Sequence, residues 1–326
     1  MPTTLIIGAG LSGLAAAREL KKLGHNVLIF DKGRGVGGRL STRRMAEGCA
    51  DHGAQYFSAR SNNFQATTRA MMADGIVYEW HIEQSDPASF QHPRYVGSNG
   101  MNGVAKYLAE GLNVQTGKRA VRVKQAPQGW EVVFESGETV AADALIVTIP
   151  APQALALWQE SGLELAPDAR AALEYIHYEP CLAVMLQLSQ PSHIPAPGGL
   201  KLPPHSPVSW IADNQQKGIS PALPTVTIHA SHAYSQQHLD DTDLNALIPD
   251  LIGAVCNYVD PKTIVDQQVH RWRYSNATVR HDQPFLQVAG HAPLFFGGDG
   301  FGSGNMEGAF MSGRAMARAV AGLASA

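Results

Sequence analysis

A chain of 326 residues, 44% hydrophobic and 16% charged, has the composition of an ordinary folded protein, and at roughly 150 residues per domain its length predicts two lobes. A formal net charge of -3, with no stripe of Lys or Arg, excludes a nucleic-acid backbone as partner. The three cysteines, Cys49, Cys181 and Cys256, show neither CxxC nor metal-ligand spacing and read as packed thiols; no run approaches the roughly 20 apolar residues that cross a bilayer, and a soluble cytoplasmic protein is expected.

The first element is the apolar strand Leu5-Ile6-Ile7. It lacks a basic n-region and runs at once into glycine, so it reads as a strand and turn rather than a signal peptide. Gly8, Gly10 and Gly13 follow, then a helix carrying Leu14, Ala17 and Leu20, then a strand from Val27 to Phe30 that ends at Asp31. This is a βαβ unit: Gly8 makes the tight turn, Gly10 lets the backbone approach a pyrophosphate, and Gly13 lets helix and sheet pack closely. Free N–H groups at the helix start favour an anion, and the Asp31 carboxylate can accept both ribose hydroxyls of an adenosine. Gly8, Gly10, Leu11, Ser12, Gly13, Asp31 and Lys32 are therefore candidate dinucleotide contacts, and this unit alone fits NAD as well as FAD.

Three further segments favour the flavin. Residues 32–44, KGRGVGGRLSTRR, bring Arg34, Arg39, Arg43 and Arg44 just past the ribose-binding acid, where a long cofactor needs additional donors for its pyrophosphate; Gly38 and Arg39 join the candidates. DHGAQYF at 51–57 sets small residues before Gln55 and Tyr56, which can then lie beside a flat ring. Far downstream, Leu294-Phe295-Phe296 enters a glycine loop in which Asp299 can bind a polyol hydroxyl. The helix that opens near Asn305 and Met306 points N–H groups at the negative charge a reduced flavin carries near N1 and C2=O, a feature NAD has no use for. Gly298, Asp299, Gly300, Asn305, Met306, Glu307 and Ala309 complete this set, with Glu307 reading as a first-turn acid that complements the helix dipole.

Between these ends, Val121-Arg122-Val123, Trp130 to Phe134 and Thr139-Val140 form a meander, and 144–149 a buried strand that stops at Pro150; Val121 and Thr148 are the cofactor candidates there. The expected fold is α/β: a Rossmann-like FAD-binding domain built from the discontinuous segments 1–60, 97–150 and 286–326, plus an α+β substrate domain, 61–96 and 151–285, with a mixed or antiparallel sheet. Its strands are expected at 182–188, 208–211 and 226–230, with a helix from about Thr242 to Tyr258. Such a sheet can lie over the flavin and leave a pocket between the lobes, to which Trp80, His92, Arg94 and Tyr95 would contribute.

GAGLSG with Asp31, RGVGGR at 34–39 with Ser41 and Thr42, DHGAQYF, the strand exit IVTIP and GGDGFGSGNMEGAFMSG at 297–313 together resemble the flavin-containing amine oxidase superfamily of the p-hydroxybenzoate hydroxylase-like fold, across essentially the whole chain. The compact length, HRWRYSNA at 270–277 and the short GDGFGSGNMEGA ending are similar to the renalase family, of bacterial type. Some superfamily members attach flavin to a cysteine, and the C-terminal loop here has none, so the resemblance implies non-covalent FAD. It also implies hydride transfer from the 1,2- and 1,6-dihydro isomers of NAD(P) to flavin, giving NAD(P)+, with oxygen then reduced to hydrogen peroxide.

For such a substrate, Trp272 and Tyr274 share one face of a strand and Arg273 takes the other, so that the aromatics can hold a nicotinamide and an arginine can meet its phosphate; core packing is the alternative for Trp272. With Tyr56, Trp210 and His232 these are the candidate substrate contacts. A dihydropyridine aromatises as it gives up hydride, so no acid or base is assigned. Two other readings stand. A flavin amine oxidase for a small amine usually needs an aromatic cage and often a lysine-held water, and Lys201 is the only lysine in a plausible stretch, in a loop-like setting. The other is a non-catalytic flavin-binding redox sensor. His229 and His232, three apart on a strand, face opposite ways without a carboxylate cluster, so no metal site is expected, and no GxSxG supports a hydrolase.

Overall fold

The apolar runs at 5–7, 29–30 and 145–147 are buried throughout, as strands covered on both faces must be. In the computed structural model, which describes residues 2–82, 92–289 and 292–323, they form the centre of a six-stranded sheet ordered Phe285–Gln287, Leu294–Gly297, Ala144–Val147, Thr3–Ile7, Asn26–Phe30 and Asn113–Gln115. All neighbours pair in parallel except the first, Phe285–Gln287, which runs antiparallel at the edge. The helices Leu11–Lys22 and Asn305–Leu323 pack together so closely that a Cβ on Gly313 would sit 2.1 Å from the Ser12 carbonyl oxygen, and Glu19 ties them by pairing with Arg314 and Arg318. A three-stranded antiparallel meander, Ala120–Ala126, Gly129–Phe134 and Thr139–Ala142, belongs to the same unit. This unit comprises Met1–Gly38, Ala105–His177 and Ala277–Ala326; the second comprises Arg39–Val104 and Tyr178–Asn276.

These seams differ from the boundaries read at 60, 96, 150 and 285, and residues 83–91 of the 61–96 stretch lie outside the described residues. The reason at Pro150 is local. The strand ends at Val147, and Pro150 caps a helix, Ala151–Ser161, that is followed by another, Pro167–Glu174, before the chain passes to the second unit.

The second unit is built on five strands ordered Gly199–Lys201, Val208–Asp213, Thr225–Ala230, His177–Leu188 and Ile264–Val279, with antiparallel pairing along the first four. Strand alternation divides its faces. Leu182, Val184, Leu186, Val226, Ile228 and Ile211 point to one side and form a core with Ile248, Leu251 and Val255. Thr225, Thr227 and His229 point to the other, where they reach the backbone oxygens of Cys49, Asp51 and His52 and so fasten the hairpin Thr42–Met45/Gly48–Asp51 to the sheet. The long helix expected from Thr242 to Tyr258 is instead a 3-10 turn, Asn245–Leu247, and a short helix, Ile248–Gly253. Pro249 explains the break: lacking an N–H, it fits only the first turn of a helix, so the helix restarts there.

Candidate functional site

In the first unit the site is made of turns. Gly8 leaves its strand at a φ of +110°, and a Cβ on Gly13 would lie 2.0 Å from the Gly8 oxygen, so the helix begins this close to the strand only with glycine at that position. Gly10 opens the helix without any side-chain cap, and a Cβ placed on it meets nothing within 4 Å. Beside Leu11, the Ser12 hydroxyl is buried without a hydrogen-bond partner. An uncapped helix start and an orphaned hydroxyl fit a pyrophosphate, whose oxygens accept from both.

The Asp31 carboxylate accepts from Ala9 N at 2.7 Å and from Gly33 N at 2.6 Å, which ties both glycine segments together and leaves lone pairs for ribose hydroxyls. Gly37 N donates to the Ala9 oxygen at 2.8 Å, and a Cβ on Gly38 would come within 3.7 Å of Gly10 Cα, so the second glycine cluster folds onto the first; Lys32 points to solvent. Thr148 Oγ1 donates to the Ile7 and Gly8 oxygens, both at 3.1 Å, and braces the turn. At the C-terminal loop Gly298 has a φ of +137° and donates to Ser312 Oγ at 2.9 Å, while the Gly300 oxygen accepts from His281 N. Asn305 starts its helix at a left-handed φ of +55°, a conformation Asn tolerates better than most residues. Met306, Glu307 and Ala309 occupy the first turns of that helix, and Asp299 precedes it. Val121 lines a groove of about 480 Å³ with Arg122, Lys124, Val133 and Glu160, which no glycine turn enters.

In the second unit the site is made of side chains. Asp51 and Lys217 form an ion pair at 2.8 Å with both side chains wholly buried. Asp51 also accepts from Thr42 Oγ1 at 2.5 Å and Met101 N at 2.9 Å, while the Lys217 ammonium lies 5.4 Å from the Trp80 ring centre. From this anchor the DHGAQYF loop extends. Gly53 passes so near Arg39 that a Cβ would sit 2.0 Å from its oxygen, and Gln55 donates to the Asp51 and Gly53 oxygens while its own Oε1 is buried and unpartnered. Trp210 meets Tyr56 and Trp80 edge to face at 5.8 and 6.3 Å, Tyr56 and Trp80 are tilted at 6.3 Å, Arg94 covers the Tyr56 ring at 4.4 Å, and Trp210 Nε1 is buried without a partner. Gly199 makes that trio fit, since a Cβ there would strike both tryptophan rings.

His52 stacks on Trp272 at 5.3 Å, meets His270 edge-on at 4.8 Å, and its carbonyl oxygen accepts from Trp272 Nε1 and His229 Nε2. Burial, reinforced by His270 and the Arg43 charge, holds the His52 imidazole down at about 3. Burial holds His229 at about 4 and also lowers His270, which Arg43 depresses further. All three are neutral at pH 7. With Asp51 paired to Lys217 and two ring faces covered by cations, these groups offer a bound ammonium no free carboxylate.

Of the expected substrate contacts, Tyr56 and Trp210 come together, and Trp272 and Tyr274 share the face of His52, with Tyr274 5.8 Å from the Tyr178 ring. Arg273 and His232 do not join them. Arg273 faces the opposite side and pairs with exposed Asp240 at 2.9 Å. His232 lies not on the strand but at the start of the helix His232–Gln237, facing Glu179 and the Pro180 oxygen. Among the expected cofactor contacts, Arg39, Gln55 and Tyr56 belong to the second unit and the rest to the first. Arg39 donates to the Ser275 oxygen and lies 5.8 Å from the Tyr178 ring. His92 is exposed, and Tyr95 exchanges backbone hydrogen bonds with Phe57.

Sequence reasoning missed Lys217; the lysine it named, Lys201, in a loop-like setting, is exposed on a short edge strand. Nothing in the run Asp213-Asn214-Gln215-Gln216-Lys217-Gly218 distinguishes it from a surface turn. Asp51 and His52 lie within a motif already singled out, and the Gly53 beside them was the available signal. Among the described residues no three His, Cys, Asp or Glu side chains cluster as metal ligands, and no helix is long and apolar enough to cross a membrane.

Comparison with known proteins gives two family matches, each of which crosses both units. The family described as flavin containing amine oxidoreductase matches residues 80–321, and an NAD(P)-binding Rossmann-like domain matches residues 6–73. Renalase of Mus musculus is 26% identical over 333 residues, covering 96% of this chain and 96% of its own. Among solved structures, reduced UDP-galactopyranose mutase superposes with a TM-score of 0.72 at 14% identity, covering 100% of this chain and 95% of its own. Putrescine oxidase bound to putrescine gives a TM-score of 0.71 at 15% identity, with 98% of each chain covered. At these identities the two structures speak for the fold alone.

Proposed function

Because the chain belongs to the family of flavin-containing amine oxidoreductases, and is thus a flavin-dependent oxidoreductase acting on a small molecule with an electron acceptor, we propose that it is an FAD-dependent oxidase of dihydronicotinamides. Its substrates on this reading are 1,2-dihydroNAD(P) and 1,6-dihydroNAD(P). The substrate gives up one hydride and leaves as NAD(P)+, and oxygen with a further proton leaves as hydrogen peroxide. Bound FAD supplies the hydride acceptor.

The observation that carries this reading is the neutral aromatic face around His52. Trp272, His270 and His229 surround an imidazole that burial keeps uncharged, so the face has no proton acceptor competent near pH 7. A dihydropyridine needs none, because aromatisation drives hydride loss. An amine needs to lose a proton first, and Arg94 and Lys217 already occupy two of the ring faces that would hold its cation. Whole-length similarity to renalase supports the same choice over an amine.

The glycine turns, Ser12 and the uncapped helix start supply the contacts for the ADP half of FAD. Non-covalent attachment is supported by the cysteines. Cys49, Cys181 and Cys256 all belong to the second unit, and burial raises the first two thiols to about 11 and about 12, far from the thiolate that attachment requires. The test is peroxide formation and oxygen uptake across a panel of 1,2-, 1,4- and 1,6-dihydronicotinamides and primary, secondary and tertiary amines. Turnover confined to the 1,2- or 1,6-dihydronicotinamides supports the reading, and turnover confined to amines overturns it.

A further inference from the structure

Arg43 stands on the strand Thr42–Met45, directly opposite Ala50 of the neighbouring strand. Alternation puts it on the same side as Met45, which packs with Ala50 and Met185, while Arg44 is turned to solvent. Arg43 therefore points in toward the five-stranded sheet. Its charge is felt there, because it lowers the proton affinity of both His52 and His270.

Among the described residues no carboxylate pairs with that charge. Arg43 Nε is buried with no hydrogen-bond partner, and no ring face among the described residues engages the guanidinium. The nearest acid in the hairpin, Asp51, is already taken by Lys217, Thr42 and Met101. The other inward or half-buried arginines of the second unit are engaged: Arg39 with Ser275 and Tyr178, Arg94 with Tyr56, and Arg271 with Asp241. A second orphan lies close by. His52 is 5% exposed and its Nδ1 has no partner, although its ring is fixed between Trp272 and His270.

Arg43 is half-buried with its Nε buried and unpartnered, and together with the unsatisfied imidazole of His52 it offers donors that an anion can complete. Arg presents a planar fork that matches the oxygens of a phosphoryl group, and a neutral imidazole donates one further hydrogen bond from the nitrogen that carries the proton.

We propose that Arg43 and His52 form an anion subsite that binds a phosphoryl group of the substrate. The assignment of that group to the substrate rests on the dihydronicotinamide reading given above. It replaces Arg273, which the fold turns to the opposite face. The subsite makes a charged phosphate ester, rather than the bare nicotinamide ring, the unit of recognition.

The experiment uses the flavin-loaded protein and inorganic pyrophosphate as the probe, with calorimetric titration of the natural chain and of Arg43→Gln, Arg43→Lys and, as a control for surface charge, Arg69→Gln on an exposed helix position. Expected is saturable pyrophosphate binding that weakens about 10- to 100-fold in Arg43→Gln, less in Arg43→Lys, and not in Arg69→Gln. Equal binding by the natural chain and Arg43→Gln, or none by the natural chain, overturns the subsite. Flavin content separates the other source of a phosphate: if Arg43→Gln instead loses FAD while its remaining holoprotein binds pyrophosphate normally, the arginine serves the cofactor and the proposal fails. With dihydronicotinamide mononucleotide and its phosphate-free riboside, Arg43→Gln should raise KM about 10-fold or more for the first, leave it for the second, and leave kcat within about threefold. Loss of the pyrophosphate effect sinks the subsite even if both compounds are oxidised; oxidation of neither sinks the substrate reading while the pyrophosphate result still decides the subsite.

Discussion

At the glycine turns of the first unit the polar groups left over after folding are main-chain N–H groups and the Ser12 hydroxyl, presented by turns that only glycine allows. In the second unit they are the ends of side chains, Arg43, His52, Gln55 and Trp210, gathered from strands and loops far apart along the chain. The contrast concerns how a site is held. A backbone site is as rigid as the turn beneath it, whereas a side-chain site needs an internal anchor, and the buried pair Asp51 and Lys217 has that position in the second unit.

The largest effect should come from cutting that anchor. Lys217→Met leaves the Asp51 charge buried and unpaired and should lower unfolding free energy by about 3–5 kcal/mol, whereas adding Asp51→Asn to it should recover most of the loss, because a buried pair replaced as a unit is often neutral. Denaturant titration of the two single variants and the double variant measures this coupling. A double variant no better than Lys217→Met alone would mean that the pair is not the anchor.

Next is the backbone site. Gly13→Ala places a methyl 2.0 Å from the Gly8 oxygen and should cost about 3 kcal/mol as well as flavin retention, read from thermal unfolding and from absorbance per protein. The contrast between the units weakens if Gly13→Ala keeps its flavin.

Acid should loosen the second unit through its histidines. His52 and His229 are held below the unfolded value near 6.5, so between the folded and unfolded values the unfolded chain binds more protons. Their contribution is complete above about pH 6.5 and is lost as the pH falls, by roughly 2 kcal/mol for each histidine at pH 5. Stability measured from pH 8 to pH 4.5 should show this slope, and replacing both residues with Asn should flatten it. Smallest is Trp272→Phe, which removes one donor to the His52 carbonyl oxygen at 2.8 Å and should cost about 1 kcal/mol, with a larger proportional rise in KM than fall in kcat.

The two units also differ in how far they can be read from the chain alone. Gly8, Gly10, Gly13 and Asp31 announce themselves because a phosphate-binding turn requires glycine at fixed spacing, and the parallel sheet follows from continuous apolar runs. The antiparallel strands at 182–188, 208–211 and 226–230 were legible for the same kind of reason, each lying within an observed strand. The helix from Thr242 was not, because Pro249 outweighs the local propensity. Lys217 stayed hidden since a lysine becomes buried only when a partner, here Asp51, arrives from far along the chain. Arg273 lies on the face opposite Trp272, as alternation along the strand predicts, and pairs there with Asp240.

The account is tested most directly by anaerobic stopped-flow mixing of the yellow holoprotein with 1,2-dihydroNAD while absorbance near 450 nm is followed. It predicts bleaching within seconds with NAD+ as the product. A flavin spectrum unchanged over minutes with that compound and with its 1,6-isomer, alongside bleaching by an amine, would contradict it.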